Sequence, residues 1–392
     1  MPDLEDKLKS IAKESGAALV GIASKDRLLD SPPSADPTYL LPSAQSIISF
    51  AVTLDKKTVR DFMRKKDWLS HCEERKQIAQ ALYAIGDRLV EYLKGLGHEA
   101  LNVDLNNNYR PEPGAQDVTE MTEFIPEFSH RYGAVAAGLG RLGWSGNLLT
   151  PQYNSMVELG TVMTSAVLQP DPLLDTNPCD RCKLCTAVCP VEMINKKESI
   201  RLTVAGIEEE IAAKQPNTCC WIGCTGYHGL APGGNWSNWS PYRLGQPLPQ
   251  EKAELDALNI RLQKADPQMS LDDNSFADYR AAMFDTDWFT NTVCGNCRMV
   301  CWKDIQDRKQ NRWLLAESGV VVLGPDGQHK VADGEVVEVQ TPYIVKVALL
   351  KKDYEKALAS GRPNKTYARA PIDIEVLNHI YDFAGATRNK KR

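Results

Sequence analysis

Cys179, Cys182, Cys185 and Cys189 stand in the run Cys-Asp-Arg-Cys-Lys-Leu-Cys-Thr-Ala-Val-Cys-Pro, and Cys294, Cys297 and Cys301 repeat most of that spacing about a hundred residues farther on. Two-residue gaps let successive thiolates converge on one cubane core, and the three-residue gap before Cys189 turns the chain so that this sulfur faces a neighbouring cluster. The same logic sends Cys301 back to the first cluster. A tetrahedral zinc ribbon needs only two Cys-x-x-Cys pairs and leaves the other cysteines unexplained. Two [4Fe–4S] clusters are therefore expected, and with them a chain that moves electrons. Pro190 suits the first turn of a helix through Met193 and Ile194.

The chain has 11 cysteines, so an eighth ligand has to come from the trio Cys219, Cys220 and Cys224, with Cys219 taken as the candidate. The remaining two, with Cys72, read as buried thiols, because free cysteine packs as a small hydrophobe. A disulfide scaffold does not suit a chain of 392 residues without a signal peptide, so a reducing, cytoplasmic setting is expected. That length, with 43% hydrophobic residues, is enough for two or three domains. A net charge of −5 argues against a broad, sequence-independent grip on nucleic acid. No apolar run approaches the roughly 20 residues of a membrane helix.

Spacing along the chain predicts an amphipathic helix over 3–15 (Leu4, Leu8, Ile11), strands at 18–23 and 46–52, and a long helix over 72–96 carrying Ile78, Leu82, Ile85, Leu89 and Leu93. Residues 104–126 are polar and irregular, the composition of a surface loop or lid. Helical character returns at 128–137 and strand character at 157–167. The cysteine region, about 176–305, holds a large insertion containing the Gly- and Trp-rich stretch around Trp236 and Trp239. Beyond Trp313, the segments 319–323, 335–339 and 343–350 read as a small capping sheet. The expected class is α+β: a first domain over 1–175, a double-cluster domain over 176–310, and a β-rich extension over 311–392.

Gly138, Gly140 and Gly143 match a dinucleotide fingerprint, with Glu158 twenty residues beyond Gly138. The context is wrong for that reading, because no β-branched strand precedes the turn and no clear helix start follows it. The stretch from His130-Arg-Tyr-Gly through Gly-Leu-Gly-Arg-Leu-Gly-Trp-Ser-Gly-Asn to Tyr153, then Leu159-Gly-Thr-Val-Met-Thr, then the cysteine run, resembles instead the core shared by reductive dehalogenases and epoxyqueuosine reductases. The resemblance extends to Ala12-Lys-Glu-Ser-Gly and Leu41-Pro-Ser-Ala-Gln-Ser-Ile, and so covers about residues 4–305. Leu149-Thr-Pro-Gln-Tyr153 leans toward the dehalogenases.

That resemblance implies a nitroreductase-like domain binding cobalamin, followed by a bacterial-ferredoxin-like domain with two [4Fe–4S] clusters. Gly138, Leu139, Gly140, Gly143 and Asn147 would then face the corrinoid, the glycines because they lack a Cβ. Electrons from reduced ferredoxin or flavodoxin would pass through the clusters to cobalt, and the cofactor would supply the hard chemistry. Candidate proton donors are Glu123, which stands near the families' catalytic aspartate position, Tyr132 beside the cationic Arg131, and His130.

Three departures stand out: Trp144 occupies a position where the families place lysine or arginine, Trp302 stands where a proline is usual, and the C-terminal sheet replaces a helical-repeat region. The last of these, with the acidic balance, argues against transfer RNA. The sequence reading is a cobalamin-dependent, dehalogenase-like reductase of a small organic molecule. Its alternatives are an epoxyqueuosine reductase acting on tRNA and a double-cluster electron-transfer partner of a corrinoid protein.

Overall fold

The computed structural model describes residues 3–105, 108–111, 113, 124–245, 248–264, 293–325, 329–340 and 345–359. Asp3 caps the first helix, α1 (Leu4–Glu14), by accepting the Asp6 N–H at 2.8 Å, which satisfies one of the donors a helix start leaves open. Four strands form the first sheet: β1 (Leu19–Ser24), β2 (Ser46–Thr53), β3 (Ala100–Asn102) and β8 (Val157–Thr164), the last following four short strands in the chain. The order is β1-β2-β8-β3 and every neighbour is antiparallel.

Register divides the side chains between two faces, because successive residues of a strand point to opposite sides. Ile22, Ile48 and Val162 are aligned across the sheet and join Leu8 and Ile11 of α1 and Leu82, Ile85 and Leu89 of the long helix α3 (Leu69–Gly95). Ala23, Ile47 and Met163 are likewise aligned and face Ala134 and Val135 of α4 (His130–Ala136). Burying each large side chain of this kind contributes about 1.5–3 kcal/mol. Helix α2 (Lys56–Met63) precedes α3, which starts three residues before its expected position.

The expected loop over 104–126 contains a short ladder, β4 (Tyr109–Pro111) against β5 (Phe124–Pro126). After α4, β6 (Arg141–Leu142) pairs with β7 (Leu148–Leu149). The first cysteine run carries α5 (Leu184–Ala187). No helix follows Pro190: Glu192 takes a left-handed φ of 47° and the chain enters a strand, β9 (Ile194–Val204). The Met193 N–H points to Cys189 Sγ at 3.3 Å, so a polar partner at the sulfur replaces the helical turn expected there.

Strand β9 forms a hairpin with β10 (Ile207–Lys214) through Ala205 and Gly206, both at positive φ, as a tight primed turn requires. Its buried Glu209 binds Arg141 Nε at 2.8 Å and the Leu142 N–H at 3.1 Å, fastening the hairpin to β6. The insertion continues with α6 (Asn217–Cys224), β11 (Tyr242–Arg243) and α7 (Lys252–Lys264).

The second cysteine set carries α8 (Asn296–Met299) and leads into α9 (Ile305–Ala316). Two hairpins follow, β12 (Val321–Leu323) with β13 (His329–Val331), and β14 (Val336–Gln340) with β15 (Lys346–Leu350), before α10 (Lys351–Ala359). Strand β15 also pairs with β11, so the C-terminal strands and the insertion share one sheet.

Candidate metal centre and adjoining cavity

Cys179, Cys182 and Cys185 line one small cavity together with Cys301, which α8 brings back from the second run. Three donors reach these sulfurs: the Trp144 N–H to Cys179 at 3.3 Å, Arg308 Nη1 to Cys182 at 3.3 Å, and Asn154 Nδ2 to Cys301 at 3.8 Å. Arg181 and Lys183 hold left-handed φ values of 55° and 57° within the run. Each such non-glycine residue costs about 1–2 kcal/mol. Left-handed turns of this kind direct backbone N–H groups toward anions and iron–sulfur sites, which gives the strain a purpose.

The second group forms around Cys189. Its sulfur feels those of Cys294, Cys297 and Cys220, and Cys297 in turn feels Cys220 and Cys294. Met193 N and Asn147 Nδ2 supply donors to Cys189 and Cys297, at 3.3 and 3.8 Å. Gly295, at φ 117°, turns the chain beside Cys294, which receives the N–H groups of Asn296 and Gly295.

Cys219, the candidate from sequence, points elsewhere: its thiol donates to the Val191 carbonyl at 3.3 Å. On α6, Cys220 and Cys224, one helical turn apart with their sulfurs 3.6 Å from each other, both face the group, Cys224 through a hydrogen bond with Cys294. Adjacent positions on a helix diverge by about 100°, so Cys219 and Cys220 cannot serve the same side.

Burial pushes the thiols of Cys297 and Cys301 up to about 11 and about 12, and those of Cys185 and Cys189 upward as well. Cys294 moves the other way, to about 7, chiefly through its hydrogen bond with Cys224. Among the described residues no three Cys, His, Asp or Glu side chains converge as a single ion requires. Four thiols spread around a cavity suit a cluster whose irons occupy separate corners. The Arg308 side chain lines the first cavity, and its buried Nε–H has no hydrogen-bond partner. Such an orphan costs about 1–3 kcal/mol, and a bound iron–sulfur cluster would supply acceptors for it. The donor set therefore fits iron–sulfur clusters.

A larger cavity of about 290 Å³ adjoins the second group, between α3, α4 and β8, and includes Arg75, His130, Arg131, Asn147, Glu158 and Arg298. Asn147 links it to Cys297. Glu158 pairs with Arg298 and, at 3.5 Å, with Arg75. Burial raises the Glu158 carboxyl, but the two guanidinium groups outweigh it and the net direction is down. The acidic residue of the glycine-fingerprint reading is thus committed to arginines.

His130 is held at both nitrogens, Nδ1 by Thr161 Oγ1 at 2.9 Å and Nε2 by the Asp104 carbonyl at 2.8 Å. A carbonyl only accepts, so Nε2 carries the proton, and burial lowers the pKa of the ring. Tyr132, on the same helix, packs into the apolar layer around Ala134 and Leu142 rather than lining the cavity. Arg131 does line it, donates to the Gly146 carbonyl at 2.7 Å, and acts on the phenol of Tyr109, which the sequence reading passed over. Glu123 lies outside the described residues.

The glycine turn does not present an open cradle. A Cβ on Gly138 would lie 2.1 Å from the Pro172 carbonyl, and one on Gly140 2.3 Å from the Leu149 carbonyl; on Gly143 it would meet Leu149 Cδ1 at 2.6 Å. The glycines admit the chain's own backbone and side chains, and Leu139 is buried in the same apolar layer. Trp236 and Trp239 are buried too, with Trp239 Nε1 bound to the Phe62 carbonyl at 2.9 Å.

Both unusual tryptophans have partners. Lys183 lies 4.2 Å over the Trp144 ring, and Trp302 lies under Lys56 and Arg60 at 4.8 and 5.2 Å, cation–π contacts that tie the cysteine region to the rest. Among the described residues no helix is long and apolar enough to cross a membrane.

No protein-family model matches the sequence, and no curated protein matches it. Solved structures do. Epoxyqueuosine reductase in complex with an epoxyqueuosine-modified tRNA-Tyr stem loop is 20% identical over 48% of this chain and 52% of that one, with a TM-score of 0.32. The Bacillus subtilis epoxyqueuosine reductase is 21% identical over the same shares, with a TM-score of 0.32. The catabolic reductive dehalogenase NpRdhA is 16% identical over 72% of this chain and 37% of that one, with a TM-score of 0.42. The matches span about half the length of the epoxyqueuosine reductases and less of the dehalogenase. The structural neighbours of this chain thus include epoxyqueuosine reductases and reductive dehalogenases.

Proposed function

We propose that this chain is an iron–sulfur reductase that carries electrons through two [4Fe–4S] clusters to a small organic molecule in the cavity beside Asn147. The observation that carries this reading is the grouping of the thiols: Cys179, Cys182 and Cys185 with Cys301, and Cys189 with Cys294, Cys297 and the Cys220–Cys224 pair of α6. The sequence resemblance supports it, with a nitroreductase-like domain over 1–175, a ferredoxin-like double-cluster domain over 176–310 and a β-rich extension over 311–392.

Bound clusters would supply one-electron transfer at each site. The chain's own groups do the rest. Donors from Trp144, Arg308, Met193 and Asn147 offset thiolate charge and fix the sulfurs. Asn147 spans from Cys297 to the cavity, and Arg131 and Arg298 give the cavity wall a cationic character suited to polarising or orienting a substrate.

A corrinoid does not fit the residues the resemblance assigns to it. The space beside the three glycines is filled by Pro172 and Leu149, so no step is derived through that cofactor. This closure favours, as a second reading, a double-cluster electron-transfer partner that serves a separate corrinoid protein.

The test is an anaerobic assay of the reconstituted chain, reduced by titanium(III) citrate, against halogenated aromatic acids and epoxyqueuosine-containing tRNA. Turnover without added corrinoid supports the reductase. Turnover only after a corrinoid protein is supplied moves the assignment to the second reading, and failure of the chain to take up electrons overturns both.

A further inference from the structure

Arg308, on α9, is 5% exposed, yet it reaches the first thiol group. Its Nη1 lies 2.7 Å from Asp180 Oδ1 and 3.3 Å from Cys182 Sγ, and its Nη2 donates to the Lys303 carbonyl at 3.3 Å. Asp180 in turn accepts the Cys182 N–H at 3.2 Å. The guanidinium is therefore fixed against the sulfur by a carboxylate anchored in the same Cys-x-x-Cys loop. At the second group's sulfurs the hydrogen-bond donors include the neutral Met193 N, Asn147 Nδ2, Asn238 side chain and N–H groups of Gly295 and Asn296, while the cations Lys214 and Arg131 act on Cys220, and Lys214 on Cys297, by charge rather than by a hydrogen bond to sulfur.

We propose that Arg308 is a positioning residue that raises the reduction potential of the cluster held by Cys179, Cys182, Cys185 and Cys301. The inference rests on the two-cluster reading above. Reduction adds one negative charge to the cluster and its thiolates. A fixed cation with an N–H···S bond stabilises that charge more than the oxidised form, and hydrogen bonding to sulfur is one of the levers that set cluster potentials.

Asp180 opposes the effect only weakly, because its side chain is 48% exposed and water screens it, whereas that of Arg308 is 7% exposed. Cys182 is itself exposed, so this cluster is also the one an external donor can approach.

Iron content of the anaerobically reconstituted wild type is read first, followed by a dithionite titration monitored by electron paramagnetic resonance. Arg308→Gln is expected to keep its iron and to shift the midpoint of one cluster to lower potential while the other stays put. Arg308→Lys retains part of the wild-type value. If Arg308→Gln loses its cluster, Arg308→Lys decides the matter, because it keeps the cation and loses the guanidinium contact with Cys182, and its midpoint is expected below that of the wild type. Unmoved midpoints in iron-loaded variants overturn the role of Arg308 alone. A wild type without iron removes the two-cluster reading and this inference with it.

Discussion

Asn147 Nδ2 lies 3.8 Å from Cys297 Sγ, and the same residue lines the cavity between α3, α4 and β8. One side chain therefore touches both a proposed cluster ligand and the space where a substrate would be reduced. Asn147→Ala is expected to keep its iron, to lower the potential of the second cluster, and to reduce substrate turnover about 10–100-fold. Unchanged potential and turnover, by titration and steady-state assay, would separate the cavity from the electron path.

The α6 geometry gives a ligand test. Replacing Cys220 and Cys224 together by Ser should lower bound iron from about eight to about four per chain, whereas Cys219→Ser should leave it unchanged because that thiol bonds the Val191 carbonyl. Iron lost on Cys219→Ser would reverse the assignment.

Gly140→Ala discriminates packing from cofactor binding. If Leu149 fills the space, the substitution costs about 1–3 kcal/mol in the cofactor-free protein, measured by denaturant unfolding. An open cradle predicts no loss of stability and an effect only on corrinoid retention.

His228 makes stability pH-dependent. Its Nε2 donates to the Leu230 carbonyl at 2.8 Å, its Nδ1 accepts the Leu244 N–H at 2.9 Å, and burial lowers its pKa to about 4. Because the unfolded ring binds its proton near pH 6.5, this stabilisation is complete above that value. It fades as pH falls toward about 4, by roughly 3 kcal/mol in all. Urea midpoints should fall across that window, and His228→Gln should flatten the slope. An equal slope in the variant would assign the effect to other groups.

Much of the architecture was readable locally. Leu82, Ile85 and Leu89 repeat at helical spacing and do face the core, and residues 46–52 do form a strand, because burial on one face or in a sheet leaves a periodic record. The cysteine spacing likewise indicated which sulfurs belong to which run. What escaped depends on contacts distant in sequence. The Glu209–Arg141 bond that fastens the β9–β10 hairpin, the closure of Gly138 by Pro172, and the inward turn of Tyr132 leave no periodic trace. The choice among Cys219, Cys220 and Cys224 needed the orientation of α6, which composition does not supply.

Iron and acid-labile sulfide, quantified together with zinc in protein purified without oxygen, bear on the whole account. About eight irons and eight sulfides per chain, with zinc absent, are the predicted result. Stoichiometric zinc, or iron without sulfide, would contradict it.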